Sequence, residues 1–268
     1  MRLVYGESDQ LPGLVVDRYG DWLAVQVLTL GMERRLVELK AALEQVFEPR
    51  GAVLVADSPL RTLEGLDQRR EVWWGDAPDH VQVIVGGFDL RADLLHGQKT
   101  GLFLDQRENR RRAEARANGR TALDVFCYQG EWAMHLARGG AASVLAVDSS
   151  EPALALAREN VERNGLTERV QFLRMDAFDA LRRLEREGKR FGLVVLDPPA
   201  LIKSRRAMAA GARAYREHNR LAMSLLEAAR AARRPMRVLD WAGEAPDHPQ
   251  LLAVPETHYL KCAVLQAL

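Results

Sequence analysis

The sequence predicts an α/β protein with a doubly wound, mostly parallel sheet over residues 91–268 and a smaller α+β domain over residues 1–90. Three observations support this fold class. Residues 123–148 read as strand, glycine turn, helix and strand. Two later apolar runs each lead to an aspartate, as strands do when their carboxyl ends line a crevice. The first ninety residues instead combine several short strand patterns with one helical pattern.

Short elements fill the N-terminal domain. Alternating apolar residues predict strands at Leu14–Asp17 and Trp22–Leu28, joined by a turn around Gly20. Apolar residues at helical spacing predict a helix over Met32–Phe47. The remaining predictions are strands at Ala52–Ala56, Glu71–Trp74, Val81–Val85 and Phe88–Leu90, with a polar loop at Asp57–Arg70. Nothing here points to catalysis, and both structural support and RNA docking remain open.

The stretch Leu123–Asp148 has the order of elements found in nucleotide-binding βαβ units. A short apolar strand runs into a turn at Gly130. An apolar helix, Trp132–Ala137, and a second strand, Ser143–Val147, follow. The second strand leads to Asp148, a carboxylate that can accept hydrogen bonds from both ribose hydroxyls of a bound nucleoside.

The turn favours one class of ligand over another. A dinucleotide site needs several glycines so that a pyrophosphate can lie on a helix N-terminus. This loop has only Gly130, followed by Glu131, whose charge repels a diphosphate, so NAD is disfavoured. S-adenosylmethionine (SAM) has adenine and ribose but no phosphate, and Asp124 and the helix start can meet its amino acid group. A βαβ unit without a ligand is the alternative.

The alternation of helices and strands continues beyond Asp148. The predicted elements are a capped helix from Ser149 to about Asn164, a strand at Val170–Leu173, a helix at Leu181–Glu187 and a strand at Phe191–Leu196. The third strand of this fold leads to Asp176, which can meet an adenine amino group. Four parallel strands with polar residues at their carboxyl ends predict a crevice along that edge.

Asp197-Pro198-Pro199 follows the last of these strands. The prolines remove two N–H groups, so Asp197 and the backbone carbonyls can face the crevice and bind the edge of a base. A structural cap is the alternative interpretation of Asp197. Methyltransferases that act on exocyclic amines usually place an aromatic residue after the prolines. Ala200 and Leu201 stand there, which argues against that class.

The segment Gly97–Asn109 combines glycines, donors and an apolar Leu-Phe-Leu run. Its glycines suggest a close backbone approach to a ligand, and Gln98, Lys99 and Thr100 offer donors for a carboxylate. The segment precedes the first strand of the predicted cofactor fold, where it is well placed to cover the methionine end of SAM. A basic helix, Arg107–Ala117, follows.

Positive charge is concentrated although the net charge is only +1. Residues 198–237 contain ten bases and two acids, a local charge of +8, which suits contact with RNA phosphates. The ten bases are Lys203, Arg205, Arg206, Arg213, Arg216, Arg220, Arg230, Arg233, Arg234 and Arg237. Solvated helix faces are an equally good explanation, since arginine is abundant throughout the chain.

Composition limits the compartment and the metal chemistry. The sequence has no run of about 18 apolar residues and no secretion signal at its start, so we expect a cytoplasmic protein without a membrane span. Its two cysteines, Cys127 and Cys262, make neither a disulfide framework nor a zinc site. A homodimer is left open.

Six segments together resemble a known family, the class I SAM-dependent large-subunit rRNA methyltransferases that modify cytosine at C5. The matching text is LPGLVVDRYGDWL (11–23), GQKTGLFLDQRENR (97–110), LDVFCYQGEWA (123–133), VDSS (147–150), DPP (197–199) and PETHYLKCAVLQ (255–266). The resemblance spans nearly the whole chain. It implies a Rossmann-like SAM methyltransferase sheet, SAM as the cofactor and large-subunit rRNA as the partner.

The resemblance also implies the site residues. The expected SAM contacts are Gln98, Lys99, Thr100, Phe126, Tyr128, Gly130, Asp148, Ser149, Asp176, Ala177 and Asp197. Asp197 is in addition the expected catalytic residue, because a carboxylate at cytosine N3 assists attack on the ring. The family usually has a second glycine at the position of Glu131.

Two departures from the family stand out. Its members usually begin with a small RNA-binding PUA domain, and this chain starts directly at the α+β unit. In the family, a Gly-Gly turn, a fifth strand and a motif carrying a catalytic cysteine precede the last helix. Leu221–Arg237 runs from a helix straight into a late strand instead. We therefore expect a missing strand, exposed apolar edges beside the Asp197 strand and no catalytic thiol. A truncated gene, an edited chain and a natural inactive variant are the open explanations.

The missing thiol divides the possible functions. Cytosine C5 becomes nucleophilic only after a thiolate adds at C6, and Cys127 and Cys262 are predicted to be small packing residues. The leading prediction is an rRNA methyltransferase of the cytosine-C5 family with catalysis in question. Methylation of a guanine ring nitrogen, which needs no thiol, is the second. A SAM- or RNA-binding protein without turnover is the third.

Overall fold

The computed structural model describes residues 1–76, 78, 80–202, 205–226, 236–248 and 260–267, except for the side chains of residues 205 and 267. The chain forms two compact units: unit 1 comprises Met1–Glu108 and Ala242–Cys262, and unit 2 comprises Asn109–Trp241 and Ala263–Leu268. Unit 1 extends beyond residue 90 because Thr100 and Leu102 hydrogen-bond to Asp17 and Tyr19. The two-domain division at residue 90 stays a prediction.

Unit 1 is built on a five-stranded sheet. Its strands are β1 (Arg2–Tyr5), β2 (Leu14–Tyr19), β3 (Trp22–Val27), β4 (Gly51–Ala56) and β5 (Arg69–Trp74), and they lie in that order. All neighbours are antiparallel except β3 and β4. That parallel pair is connected through α1 (Leu30–Glu33) and α2 (Leu36–Phe47). The predicted strands are confirmed, since alternating apolar residues fill a sheet whose core is completely buried.

Two local predictions in unit 1 need correction. The helix predicted over Met32–Phe47 is interrupted, because Glu33 bonds to Arg61 and Arg69 and the backbone at Arg35 is not helical. The loop predicted at Asp57–Arg70 contains a 3-10 helix, Pro59–Glu64. Arg61 in that helix is fully buried, where it also donates to the Val27 carbonyl at 2.7 Å.

A separate hairpin completes the strands of unit 1. β6 (Val81–Val85) and β7 (Phe88–Ala92) pair antiparallel across Gly86-Gly87. Both glycines have positive φ, 61° and 84°, as the two central residues of a tight hairpin turn require. The predicted break at these glycines is confirmed.

Unit 2 contains a four-stranded parallel sheet with the order β10-β9-β8-β11. Its strands are β8 (Thr121–Val125), β9 (Ser143–Asp148), β10 (Val170–Arg174) and β11 (Leu193–Leu196). The helices are α3 (Arg107–Glu114, across the unit boundary), α4 (Glu131–Arg138), α5 (Glu151–Arg163), α6 (Ala177–Arg186) and α7 (Met208–Ser224). The strand order reverses between β8 and β11. The doubly wound α/β fold is thus confirmed, and ligands of such sheets bind at this reversal.

The two faces of β8 differ in chemistry. Leu123 and Val125 lie in a buried apolar cluster with Leu181 of α6 and Leu221 of α7. Because side chains alternate along a strand, Asp124 points to the opposite face. An acid therefore lies on a strand whose other face belongs to the main core of unit 2.

The end of the described chain forms a two-stranded sheet of β12 (Met236–Ala242) and β13 (Cys262–Ala267). In the described ranges, the free side of β11 meets only an isolated bridge between Phe191 and Leu226. The late sheet exposes several apolar side chains: Val238, Leu239, Trp241 and Leu265. The predicted passage over Leu221–Arg237 falls partly outside the described residues, and a missing strand stays a prediction.

Membrane insertion through helices can be judged for the described chain. None of its helices is both long enough and apolar enough to cross a membrane.

Candidate functional site

The loop between β8 and α4 has an unusual backbone. Phe126, Tyr128 and Gly130 all have positive φ, at 68°, 49° and 80°. Non-glycine residues rarely adopt this region, and such conformations concentrate at functional sites. The loop is held in place because the N–H groups of Phe126 and Cys127 both donate to the Val147 carbonyl at 3.0 Å. Its course is therefore fixed against the end of β9.

Asp148, the last residue of β9, is oriented by the backbone on both sides. One carboxylate oxygen accepts from the Tyr128 N–H and the other from the Ser150 N–H, each at 2.9 Å. A carboxylate has about four lone-pair positions, so two backbone bonds leave acceptors for ligand hydroxyls. Ser149 is exposed beside it, and the Ser150 hydroxyl caps α5.

Asp176, which follows β10, caps α6. Its Oδ1 accepts from the N–H groups of Phe178 at 2.8 Å and Asp179 at 3.3 Å. This cap starts the helix at Ala177 rather than at the predicted Leu181, because it satisfies two N–H groups of the first turn. The predicted adenine contact of Asp176 and Ala177 stays a prediction.

Asp197 is half-buried just past β11. Its N–H reaches the Val125 carbonyl of β8 at 3.4 Å, and its Oδ2 accepts from the Trp132 indole N–H at 3.0 Å. Sequence reasoning treated Trp132 only as an apolar helix residue. No local pattern distinguishes an indole that packs from one that donates to a carboxylate 65 positions later.

The segment after Asp197 is fastened to α7. The Tyr215 hydroxyl accepts from the Leu201 N–H at 3.2 Å and donates to the Pro199 carbonyl at 3.4 Å. At Gly211 the two backbones approach so closely that a Cβ would lie 2.7 Å from the Leu201 carbonyl oxygen. Tyr215 and Gly211 therefore position the Asp-Pro-Pro loop, and neither was predicted.

Asp124, Asp148 and Asp197 form what we call the carboxylate cluster. Asp124 pairs in register with Ala146 of β9 and Val195 of β11. Two residues later those strands reach Asp148 and Asp197. Side chains two positions apart share a face of the sheet, so the three acids lie at the same edge and on the same face. No three His, Cys, Asp or Glu side chains among the described residues are arranged to hold a metal ion.

The Asp124 carboxyl is fully buried, and no described side chain donates a hydrogen bond to either oxygen. Burial is the largest cause that raises its pKa, the charges of Asp197 and Asp148 act in the same direction, and the resulting pKa is about 8 instead of 3.8. The Ala133 backbone and the Arg110 guanidinium lower the pKa but are outweighed. Asp124 therefore carries a proton at neutral pH.

Glu131, the first residue of α4, is neutralised by a partner that the sequence did not reveal. Arg110 of α3 donates to both of its carboxylate oxygens, at 2.6 and 2.9 Å, and both side chains are buried. The argument that Glu131 repels a diphosphate is therefore weakened, because its charge is balanced. The electrostatic preference of this site rests on the carboxylate cluster instead.

Gln98, Lys99 and Thr100 lie in unit 1 and bond within it. Thr100 is buried and donates to Asp17 at 2.6 Å. The Lys99 ammonium pairs with Asp105 at 2.7 Å, and the Gln98 carbonyl accepts from the Gly101 N–H. Their contact with the methionine end of a cofactor stays a prediction.

Cys127 is not suited to nucleophilic attack. Cys127 is buried two residues beyond the end of β8, the strand that carries Asp124. Burial raises the pKa of its thiol far above the usual range, and the charges of Asp124 and Asp148 act in the same direction, so thiolate is scarce. Cys262 is the half-buried first residue of β13.

The arrangement fits SAM by charge and by hydrogen bonding. The orphaned carboxyl of Asp124, with two further carboxylates beside it, favours a ligand that carries positive charge. The remaining lone pairs of Asp148 suit the ribose hydroxyls. A dinucleotide, with two negative phosphates, matches this cluster poorly.

Comparisons with known proteins agree with this fit. A family model described as S-adenosylmethionine-dependent methyltransferase matches residues 2–229. The ribosomal RNA large subunit methyltransferase I of Aeromonas hydrophila is 36% identical over 294 aligned residues, covering 99% of this chain and 74% of that protein. The protein of the same name from Erwinia tasmaniensis is 35% identical, covering 97% and 72%.

Solved structures show the same fold. A protein described as a methyltransferase, in complex with S-adenosylhomocysteine (SAH), superposes with a TM-score of 0.84 at 23% identity, covering 98% of this chain and 74% of that one. The M. jannaschii tRNA m1G37 methyltransferase superposes with a TM-score of 0.64 at 12% identity, covering 96% and 77%. With the family model spanning most of its length, the chain belongs to the SAM-dependent methyltransferase family, and SAM is its cofactor.

Proposed function

We propose that this chain binds SAM at the carboxyl edge of β8, β9 and β11 and presents it to a base of large-subunit ribosomal RNA in the cytoplasm. The observation that carries the proposal is the carboxylate cluster beside the distorted loop at residues 126–130. The names of the relatives from Aeromonas and Erwinia support RNA as the substrate.

Each residue of the edge has a proposed role in holding the cofactor. Asp148 accepts from the ribose hydroxyls, and its two backbone bonds keep it oriented for them. The loop with Phe126, Tyr128 and Gly130 brings backbone close to the ligand. Ser149, Asp176 and Ala177 border the adenine side. When bound, SAM supplies the electrophilic methyl group.

Asp197 is the residue we propose to touch the substrate base. Trp132 binds one of its oxygens, which orients the carboxylate, and Tyr215 holds the loop that follows. A carboxylate fixed in this way can bind the N–H edge of a base and assist proton movement at a ring nitrogen.

The choice of base depends on the thiol. Cytosine-C5 methylation, the activity that the sequence resemblance implies, needs a thiolate to add at C6. The whole chain has two cysteines. The buried Cys127 has a strongly raised thiol pKa, and Cys262 lies on the late sheet. We therefore propose that this chain does not itself form 5-methylcytosine.

Methylation of a guanine ring nitrogen is the second candidate function. It needs no covalent adduct with the base, so the lack of a reactive thiol favours it. A protein that binds SAM and RNA without turnover is the third.

The alignment with the Aeromonas protein has 294 positions against 268 residues here, so at least 26 positions face gaps in this chain.

Transfer of a tritiated methyl group from SAM to unmodified large-subunit rRNA, followed by nucleoside analysis, tests these proposals. We expect no 5-methylcytosine. If the wild type forms it and Cys127→Ser or Cys262→Ser abolishes it, the thiol argument is wrong and the nucleophile is identified. Methylguanosine would establish the second function. Tight SAM binding with no methylated product would support the third function, a protein that binds SAM and RNA without turnover.

RNA docking is proposed along α7. Arg213 and Arg216 are exposed and form no ion pair with any described residue. They stand three residues apart, so they share one face of the helix with Arg220, which is paired to Glu217 and Glu185. Arg206 is exposed and Arg237 donates to Gln266. The other predicted bases lie outside the described side chains: Lys203, Arg205, Arg230, Arg233 and Arg234.

The docking proposal predicts a loss of RNA affinity when Arg213 and Arg216 both become Glu. Removing two phosphate contacts should reduce the salt slope of binding by about two. The double variant Arg34→Glu and Arg35→Glu makes the same charge change on unit 1 and serves as the control. An equal loss in both variants, or none in the first, would leave the α7 arginines as a solvated face.

A further inference from the structure

In the described part of the chain, burial aside, the charges of Asp197 and Asp148 raise the pKa of Asp124 more than the nearby cation Arg110 lowers it. Asp148 and Asp197 flank the strand that carries Asp124, on β9 and past β11. The cation that faces Asp124 from α3 is Arg110, and Glu131 of α4 already binds that guanidinium through both oxygens. The neighbouring thiol of Cys127 remains neutral. The cluster therefore needs positive charge from a proton or from a ligand.

A proton on Asp124 meets this need when no ligand is bound. The carboxyl is buried and receives no hydrogen bond from a described side chain, so its charged form is costly. Its pKa of about 8 means that most molecules hold this proton at pH 7. A ligand that brings net positive charge to the cluster competes with the proton.

SAM and its demethylated product differ in the relevant property. SAM carries a sulfonium, an ammonium and a carboxylate, a net charge of +1. SAH keeps the ammonium and carboxylate but has a neutral thioether, so its net charge is zero. The two ligands otherwise offer the same adenine, ribose and amino acid groups.

Building on the proposed SAM site, we propose that the carboxylate cluster selects SAM over SAH by charge, with the sulfonium replacing the proton on Asp124. Asp124 then releases one proton to solvent as SAM binds. After methyl transfer the sulfonium charge is gone, Asp124 takes a proton back from solvent, and the cluster no longer favours the ligand that remains. Asp124 is thus a specificity-determining residue that also helps product exchange.

The exchange makes affinity depend on pH in a way that differs between the ligands. If SAM binding releases one proton, its affinity rises by about tenfold for each pH unit below the pKa of Asp124, and levels off above it. SAH affinity should change little over the same range. Between pH 6 and pH 7 the preference for SAM should therefore increase by roughly tenfold.

Calorimetric titration in two buffers of different ionisation enthalpy measures the protons released. We expect about one proton for SAM, and for an analogue with a protonated amine in place of the sulfonium, and close to none for SAH. Asp124→Asn should abolish the release and flatten the pH dependence. Asp240→Asn, which changes a carboxylate on β12 outside the proposed SAM site, should keep both.

The outcomes separate this inference from the proposed function. Equal proton release for SAM and SAH, or release that survives in Asp124→Asn, would overturn the charge-selection mechanism while leaving the SAM site intact. Failure of the wild type to bind either ligand would overturn both. Should Asp124→Asn fail to fold, the difference between SAM and SAH in the wild type still decides the question.

Discussion

Among the described residues, each unit contains a completely buried aspartate on a strand, and the two aspartates differ in their partners. Asp17 of unit 1 binds Arg2 through both oxygens, at 3.0 and 2.9 Å, and accepts from the Thr100 hydroxyl at 2.6 Å. Asp124 of unit 2 receives no hydrogen bond from a described side chain and has two carboxylates near it. Equal burial therefore conceals opposite roles.

The difference shows how a buried charge can be recognised as structural or functional. Asp17 satisfies a guanidinium and a hydroxyl, so it supports the local fold around β1, β2 and residue 100. The charged form of Asp124 destabilises the ligand-free protein. Ionisable groups in such unfavourable surroundings are typical of sites where the group binds a ligand or takes part in a reaction. The four predictions below test this contrast, from the largest expected effect to the smallest.

Asp17→Ala should produce the largest loss of stability. It leaves the nearly buried Arg2 guanidinium and the Thr100 hydroxyl without their acceptor, which typically costs about 3–5 kcal/mol. The free energy of unfolding from urea denaturation measures the effect. Replacing both partners, with Arg2→Met and Asp17→Leu, should recover most of the loss. A loss in the free energy of unfolding below about 1 kcal/mol for Asp17→Ala would contradict the structural role assigned to Asp17.

Asp124→Asn should change how stability depends on pH. The folded pKa of Asp124 is raised, so the folded state binds more protons than the unfolded state between about 4 and 8. Its stabilising contribution is complete below the unfolded pKa and is lost as pH rises through the folded pKa. In the middle of that window the slope is about 1.4 kcal/mol per pH unit.

Denaturation of the wild type and Asp124→Asn at pH 5, 6 and 7 measures this slope. The Asn variant should lack the contribution, since an amide does not titrate. Asp17→Asn serves as the comparison at an equally buried position. A wild type and an Asp124→Asn variant with parallel pH profiles would contradict the assignment of the buried proton.

Asp148→Ala should weaken SAM binding by roughly 1.5–3 kcal/mol, the scale of losing hydrogen bonds to a charged acceptor. In its hydrogen bonding Asp148 is intermediate between Asp17 and Asp124. Two backbone N–H groups orient its carboxylate, and further lone pairs remain for a ligand. Calorimetry of SAM binding gives the number. The control is Asp240→Ala, which removes a carboxylate of β12 that pairs with Arg112 of α3. Equal affinities of wild type and Asp148→Ala would refute the ribose role.

Tyr215→Phe should have the smallest effect. It removes one hydroxyl that bridges the Leu201 N–H and the Pro199 carbonyl, worth about 0.5–1.5 kcal/mol. Hydrogen exchange at the Leu201 amide should accelerate by up to roughly tenfold. Ser224→Ala, at the far end of α7, removes a hydroxyl that bonds only within its own helix and should leave that amide unchanged.

The sequence by itself determined the four strands of the parallel sheet in unit 2 and most elements of unit 1. Apolar runs that lead to Asp148, Asp176 and Asp197 correctly indicated parallel strands, because a strand buried on both faces must be apolar until it reaches the crevice. The glycine turns at Gly86-Gly87 and Gly130 were also readable, since their positive φ favours that residue. These features depend on neighbours within a few positions along the chain.

Only the tertiary structure decided which side chains meet. The sequence indicated that the charge of Glu131 would repel a diphosphate, and it did not show Arg110 against that charge. It placed Trp132 in an apolar helix and did not show its indole on Asp197. Asp17 and Asp124 both read as one acid inside an apolar strand. Their difference arises from Arg2 and Thr100 on one side and two strand-end carboxylates on the other. Such partners come from distant parts of the chain, and pattern along a sequence carries no record of them before the strands are placed in order.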